Sequence, residues 1–288
     1  MSVGPADLRA GSVGRRLVRL ALEEDLAGYG DVTSSWTVEA DVSARAHVVA
    51  REHLVVSGLP LAGAVLAEVD PAAEFRAILS EGAHVEPGEV VAALEGPARS
   101  LLTAERTLLN LLAHLSGVAT QAARFAQAVA GAGAVVVDTR KTTPGLRFWE
   151  KRAVRHGGCG NHRFGLFDMV LIKDNHVAAA GGVAEAVRRA RAAAPLGMKV
   201  EVEVEDEAAL REALAAGADI VMLDNRDLDD LRALVAVARA ERPGVLLEAS
   251  GGIGLTTVRA VAGTGVDLVS TSALTAGAPP VDLALDFQ

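Results

Sequence analysis

KVEVEVEDEAALREALAAGADIVMLDN, residues 199–225, holds one full period of the pattern that decides the fold. A β-branched run ends in polar residues, an Ala-rich amphipathic stretch follows and stops at Gly217, and a second run, DIVMLDN (219–225), begins. The same alternation extends from about residue 133 to residue 272. Its other runs are AVVVDTRK (134–141), MVLIKDN (169–175), GVLLEASGG (244–252) and VDLVSTS (266–272), with helical stretches such as VAEAVRRARAA and DLDDLRALVAVARA between them. Strand, helix, strand at this spacing builds parallel βα units. Six such units predict a barrel, with an open doubly wound sheet as the alternative.

A βα barrel carries its site at the C-terminal strand ends. That rim reads Asp138–Lys141, Lys173–Asn175, Glu203, Asp224–Asn225, Glu248–Gly252 and Ser270–Ser272. Solvated loops would account for any one of these, but not for cations, carboxylates and a Gly-rich turn on one edge. Residues 1–100 read differently. Their alternating stretches with Gly and Pro turns predict an α/β domain with antiparallel strands. A long helix, roughly 101–130, follows. On a helical wheel Leu108, Leu112, Leu115, Ala119, Ala122 and Ala126 share one face, and Arg106, Asn110, His114, Gln121 and Arg124 form an acid-free stripe opposite. The expected division is an N-terminal α/β domain over 1–115, joined by the tail 276–288, and a barrel-like catalytic domain over 116–275.

Composition sets the chemistry. Half of the 288 residues are apolar but only 3% are aromatic, so the core is built from Ala, Val and Leu. The first residues, MSVGPADLRAGSVG, hold no apolar signal region, and no run approaches the roughly 18 residues of a membrane span. The single Cys159 excludes an intrachain disulfide and a cysteine-rich metal site. A soluble cytoplasmic protein without a membrane partner is expected. The net charge of -9 argues against nucleic acid. Yet between Arg140 and Lys173 eight Lys/Arg stand against two acids, Glu150 and Asp168, an island of +6 in a remainder of -15. Such an island reads as a small polyanion site. Of 28 Lys and Arg only four are lysines, Lys141, Lys151, Lys173 and Lys199. Where Arg is so preferred, a lysine marks a position that needs a compact ammonium; chance survival accounts for Lys199 and serves equally for Lys151.

The densest segment, DTRKTTPGLRFWEKRAVRHGGCGNHRFGLFDMVLIKDNH (138–176), closely resembles the signature of the quinolinate phosphoribosyltransferase family. Further matches run in order along the chain: EEDLAGYGDVTS (23–34), ERTLLNLLAHLSGVAT (105–120), VEVEVED (200–206), GADIVMLDN (217–225), LEASGGI (247–253) and SALT (272–275). The resemblance implies an N-terminal α/β sandwich-like domain plus an incomplete, open α/β barrel. It also implies a homodimer with shared active sites, whether alone or in a hexamer of dimers. The implied activity joins quinolinate to 5-phosphoribosyl 1-pyrophosphate (PRPP), releasing pyrophosphate and CO2 and giving nicotinate mononucleotide for NAD biosynthesis.

The same resemblance implies roles for residues. Arg140, His162 and Arg163, beside Thr139, would bind the dicarboxylate, with Arg106 reaching in from the other subunit. Guanidinium forks suit carboxylates. Lys141 and Lys173 would serve the anionic groups as point charges. Breaking the ribose–pyrophosphate bond creates an oxocarbenium-like charge, which Glu203 and Asp224 would stabilise while holding hydroxyls or the water of substrate-bound Mg2+, an indirect metal role. Glu201 and Glu205 share the parity of Glu203, so which acid of that run faces the site stays open. Ser250, Gly251, Gly252 and Ser272 would receive the 5-phosphate. The chain departs from the family pattern in places. Cys159 takes the last place of the usual Gly triplet and reads as a filler rather than a nucleophile, His156 stands where a Cys is common, Ser272 stands for a glycine, and Ala276 for a histidine. These departures keep a paralogue acting on a related pyridine or aromatic acid in view. A Schiff-base aldolase using Lys173 leaves the excess of Arg and His idle, and a phosphate-binding scaffold leaves Glu203 and Asp224 idle.

Overall fold

The computed structural model describes residues 5–288, with side chains from Val13 onward. The chain groups into two compact units. The first takes residues up to Ala123 together with Thr143–Gly157 and Ala278–Gln288, and the second takes Arg124–Thr142 and Gly158–Gly277.

In the first unit α1 (Pro5–Leu26) and α2 (Val32–Thr37) precede β1 (Ser43–Ala50), β2 (Leu54–Val55), α3 (Leu59–Val69), β3 (Glu74–Ala77), β4 (His84–Val85) and β5 (Val90–Pro97). The long α4 (Ala98–Ala128), α5 (Arg147–His156) and β12 (Leu283–Phe287) complete it. Its main sheet is antiparallel in the order β12-β1-β5-β3, so the C-terminal tail supplies an edge strand. The Glu81 carboxylate accepts the Gly58 and Leu59 amides, both at 2.8 Å, and satisfies the free donors at the start of α3.

Leu108, Leu112, Leu115, Ala119 and Ala122 of α4 are fully buried, as their spacing predicts, and Leu109, Val118 and Phe125 widen that face. The opposite stripe divides. Arg106, Asn110 and Arg124 are exposed, but His114 turns inward and its Nε2 lies 2.8 Å from Glu150 on α5. Burial pushes the Glu150 carboxyl up, yet hydrogen bonds from His114 and Thr143 outweigh it and hold the group below its ordinary range. His114 therefore belongs to an internal pair and not to an open polar face. Lys151, offered no role by its type, is buried.

The second unit contains the predicted series: β6 (Val135–Val137), β7 (Val170–Ile172), α6 (Asp174–Ala180), α7 (Val183–Ala193), β8 (Val200–Val204), α8 (Glu207–Ala216), β9 (Ile220–Asp224), α9 (Leu228–Glu241), β10 (Leu246–Ser250), α10 (Val258–Ala262) and β11 (Leu268–Ser270). The six strands form one parallel sheet, ordered β6-β11-β10-β9-β8-β7. Its two end strands do not pair with each other. Gly160 instead forms a bridge to Val137 on the free edge of β6, and the barrel stays open. On β8 Val200, Val202 and Val204 are buried, while the alternate Glu201 and Glu203 occupy the other face, as a period of two requires.

Gly157, which closes α5 before the loop to Arg163, has no room for a side chain. A Cβ there would lie 2.2 Å from the Ala119 carbonyl and 2.8 Å from the Ala123 amide nitrogen. Both neighbours are helix backbone and cannot step aside. Gly157→Ala should lower the unfolding free energy in urea by about 1–3 kcal/mol through overpacking; wild-type stability would show that the helices separate freely.

Candidate active site

The loops after the parallel strands enclose a cavity of about 940 Å³. Thr139, Arg140 and Lys141 follow β6, Lys173 follows β7, and Glu203 stands near the end of β8. Asp224 and Asn225 close β9, Ser250–Gly252 close β10, and Ser270–Ala273 follow β11. His162 and Arg163 enter from the loop between α5 and β7. Every residue expected at the site lines this cavity except Arg106, which is exposed on α4, 4.0 Å from Glu105.

The site residues are held by particular partners. Lys173 Nζ lies 2.5 Å from Glu203 Oε2. The Asn225 side-chain amide donates to Asp224 at 2.6 Å, and Thr275 Oγ1 donates to the Lys141 backbone carbonyl at 2.8 Å. Arg163 is held below the ordinary guanidinium range by burial first and by the charge of Arg140 next. Two guanidinium groups are thus placed against each other in a partly dry site, an arrangement that favours an incoming anion.

The three acids of the 201–205 run separate by depth. Glu205 is exposed, Glu203 reaches the cavity, and Glu201 is fully buried. Glu201 Oε2 lies 3.0 Å from His162 Nε2, and Glu248 of β10, also fully buried, lies 3.4 Å from the same nitrogen. Burial opposes charge on His162, but the hydrogen bonds to Glu201 and Glu248 outweigh it and lift the ring to about 9. The Arg163 amide donates to Nδ1 at 2.8 Å and so favours the neutral ring. The direction that survives is upward, because two charged acceptors outweigh one neutral donor. Burial also lifts Glu201, to about 7; the charge of Glu248 adds to this and His162 and Arg163 oppose it.

Asp138 anchors the loop that carries His162. It is fully buried, and its carboxylate accepts the His162 amide at 2.9 Å and the Asn161 side chain at 2.6 Å. Sequence reading placed Asp138 and Glu248 on the rim without giving either a role, and it left Glu201 as an unresolved alternative. Shared parity with Glu203 was the available signal for Glu201. Cys159 is buried, and burial, aided by the Asp138 charge, pushes its thiol up to about 12. That thiol is no nucleophile.

The turn after β10 is shaped for close approach. Gly251 has φ +102, and a Cβ there would meet Asn225 Oδ1 at 2.1 Å. Asn225 itself has φ +51, tolerated by its short polar side chain, and its amide donates to the Ser250 carbonyl at 2.9 Å. Successive amides after a parallel strand suit a phosphate.

Residues 118–286 match the C-terminal domain of quinolinate phosphoribosyl transferase, and residues 31–116 match its N-terminal domain. The chain is 43% identical over 275 residues to the nicotinate-nucleotide pyrophosphorylase [carboxylating] of Mycobacterium leprae, covering 95% of this chain and 96% of that protein. It is 42% identical over 233 residues to the human protein of the same name, covering 80% and 78%. The solved nicotinate-nucleotide pyrophosphorylase of Francisella tularensis superposes with a TM-score of 0.90 at 40% identity, covering 96% of each chain.

The turn generates a test. Gly252 also has positive φ, +60, but open space around its missing side chain. Gly252→Ala should cost roughly 1 kcal/mol from backbone strain alone. Gly251→Ala should cost about 1–3 kcal/mol more, because the Asn225 side chain must be displaced. Equal losses in urea unfolding would remove the close contact between the two turns as the reason for glycine.

Proposed function

The chain belongs to the quinolinate phosphoribosyltransferase family, and we propose from that premise how its cavity performs the reaction. The enzyme joins quinolinate to PRPP and yields nicotinate mononucleotide, pyrophosphate and CO2 for NAD biosynthesis. The observation that carries the residue roles is the meeting, in one cavity, of Arg140, Lys141, His162, Arg163 and Lys173 with the carboxylates of Glu203 and Asp224.

Arg140 and Arg163 receive the substrate's carboxylates through paired N–H donors. Lys141, Lys173 and the amides of Ser250–Gly252 hold the phosphates, with Ser272 lining the same region. The ribose C1–oxygen bond breaks and pyrophosphate departs with the electron pair. Glu203 and Asp224 stabilise the positive charge that develops on the sugar while the pyridine nitrogen forms its bond to C1. The ring nitrogen is then cationic, so the C2 carboxylate leaves as CO2, its bonding pair stays at C2, and a solvent proton takes that pair. Glu203 and Asp224 are hard oxygen donors, each with a partner already in place. They fit an outer role toward magnesium, whose contribution when bound is to neutralise the leaving pyrophosphate.

Incubation with quinolinate, PRPP and magnesium should give nicotinate mononucleotide by product mass, with release of pyrophosphate and CO2, and chelation should abolish it. Nicotinate should be at least roughly 100-fold less efficient, because it leaves buried cations unpaired. Comparable rates with nicotinate would overturn the dicarboxylate roles of Arg140 and Arg163.

The proposal extends to a cytoplasmic homodimer with shared sites. Its support is Arg106, exposed on an acid-free stripe and outside the cavity lining of its own chain, and the exposed Tyr29 and Trp36 in a chain of few aromatics. Arg106→Ala and Arg140→Ala should each abolish activity and leave the fold intact. Exchange of subunits between the two inactive proteins should restore one good site per heterodimer, or roughly a quarter of wild-type activity. Confirmed exchange without recovery would sink the partner-subunit role of Arg106.

A further inference from the structure

Glu248 is fully buried and lines the cavity, and among the described residues its carboxylate meets no closer donor than His162 Nε2, which lies 3.4 Å away and nearer to Glu201. Nothing in the roles assigned above uses it. It faces a charged neighbourhood on every side. From the loop come His162, with Nε2 3.4 Å away, and Arg163. From β8 comes the buried Glu201, from the end of β6 Asp138 and Arg140, and across the cavity stand Lys141 and the Lys173–Glu203 pair. On the adjacent β11 the hydroxyl of Ser270, also buried, has no hydrogen-bond partner among the described residues. Met222 is the uncharged cross-strand neighbour on β9.

A dicarboxylate entering this cavity comes as a dianion. The cations draw it in, yet it must approach a buried carboxylate whose nearby donor, His162, is shared with Glu201. Two anionic carboxylates at contact repel strongly in a dry site, whereas a carboxylic acid beside a carboxylate forms a short, charge-assisted hydrogen bond. One proton converts the first arrangement into the second. We propose that Glu248 takes up a proton as quinolinate enters and donates it to one of the substrate's carboxylates. This rests on the dicarboxylate reading of the site. The balance is simple: quinolinate arrives as the dianion, the buffer supplies one proton, and the complex holds one proton more than its separated parts.

The surrounding cluster supports this. The donor and acceptor atoms of His162, Glu201 and Glu248 all lie within 4.8 Å of one another. Burial already disfavours negative charge at Glu201, which is lifted to about 7, so an incoming dianion meets a cluster that is poor in room for more charge. The sign follows from linkage. A proton bound only in the complex makes affinity fall as pH rises, by about tenfold per pH unit where the uptake is complete. A Gln at position 248 would carry a permanent N–H donor of nearly the same shape and would need no proton.

The test is calorimetric titration of the full-length chain with quinolinate, without PRPP, in buffers of different ionisation enthalpy. The wild type should take up about one proton, with affinity weakening on the alkaline side. Glu248→Gln should bind quinolinate with little or no proton uptake and a flat pH profile, and Glu248→Ala should bind weakly at every pH. Wild-type binding with buffer-independent heat would overturn the proposal, and so would wild-type proton uptake in Glu248→Gln. Buffer-independent heat in the wild type overturns the proposal even where a variant folds poorly. No quinolinate binding by the wild type would instead overturn the substrate reading, and this proposal with it.

Discussion

Like charges held together in a partly dry cavity repel by about 4 kcal/mol per pair at 4 Å, even at an effective dielectric of 20. Five cations converge at the strand ends of the second unit. A protein of modest stability cannot hold them there without internal anions. The compensation sits within the unit: Asp138 at the end of β6, Glu201 on β8, Glu248 on β10, and Glu203 against Lys173. This charge balance determines which strand positions carry acids, where the His162 loop is tied, and how the site looks to an incoming anion.

The barrel supplies the geometry for that balance. In a parallel sheet covered by helices one face of each strand is available to the interior, and on β8 that face carries Glu201 and Glu203. The other face carries the buried Val200, Val202 and Val204, and the helices of the unit bury small residues such as Ala186, Ala213 and Ala238. Ala-rich helices approach a sheet closely. A core with few aromatics is therefore a condition for this interior, because bulky rings would fill the space that the buried acids and the substrate need.

The fold was legible in the sequence because both of its signals are local. Period-two runs and period-3.6 stretches give strands and helices without knowledge of their partners, and all six strand runs from AVVVDTRK to VDLVSTS appear in the sheet. The rim residues were legible for the same reason, since a strand's C-terminal end is a position along the chain. The buried cluster of His162, Glu201 and Glu248 was not. Glu201 and Glu248 stand on different strands, and what joins them is the distance of each to His162 on a distant loop. Parity puts Glu201 on the same face as Glu203, but no pattern in the chain gives its depth. His114 failed in the opposite way. The helical wheel placed it correctly on the polar stripe, yet its partner, Glu150, comes from α5, and only packing shows that the imidazole turns inward.

In the ligand-free chain the internal pairs are also provisional. Lys173 is held by Glu203 at 2.5 Å, yet the lysine side chain is about half exposed and can exchange that partner for a phosphate oxygen with little loss. In the proposed reaction the freed Glu203 would then face the sugar, where positive charge develops. One exchange would ready both a cation for the leaving group and an anion for the reacting carbon, which is where electrostatic stabilisation counts most. Arginine could not make the same exchange as cheaply, since its planar fork would hold the carboxylate through two bonds at once. The retention of a lysine at this position, in a chain that uses arginine almost everywhere else, follows from the need for a pair that comes apart.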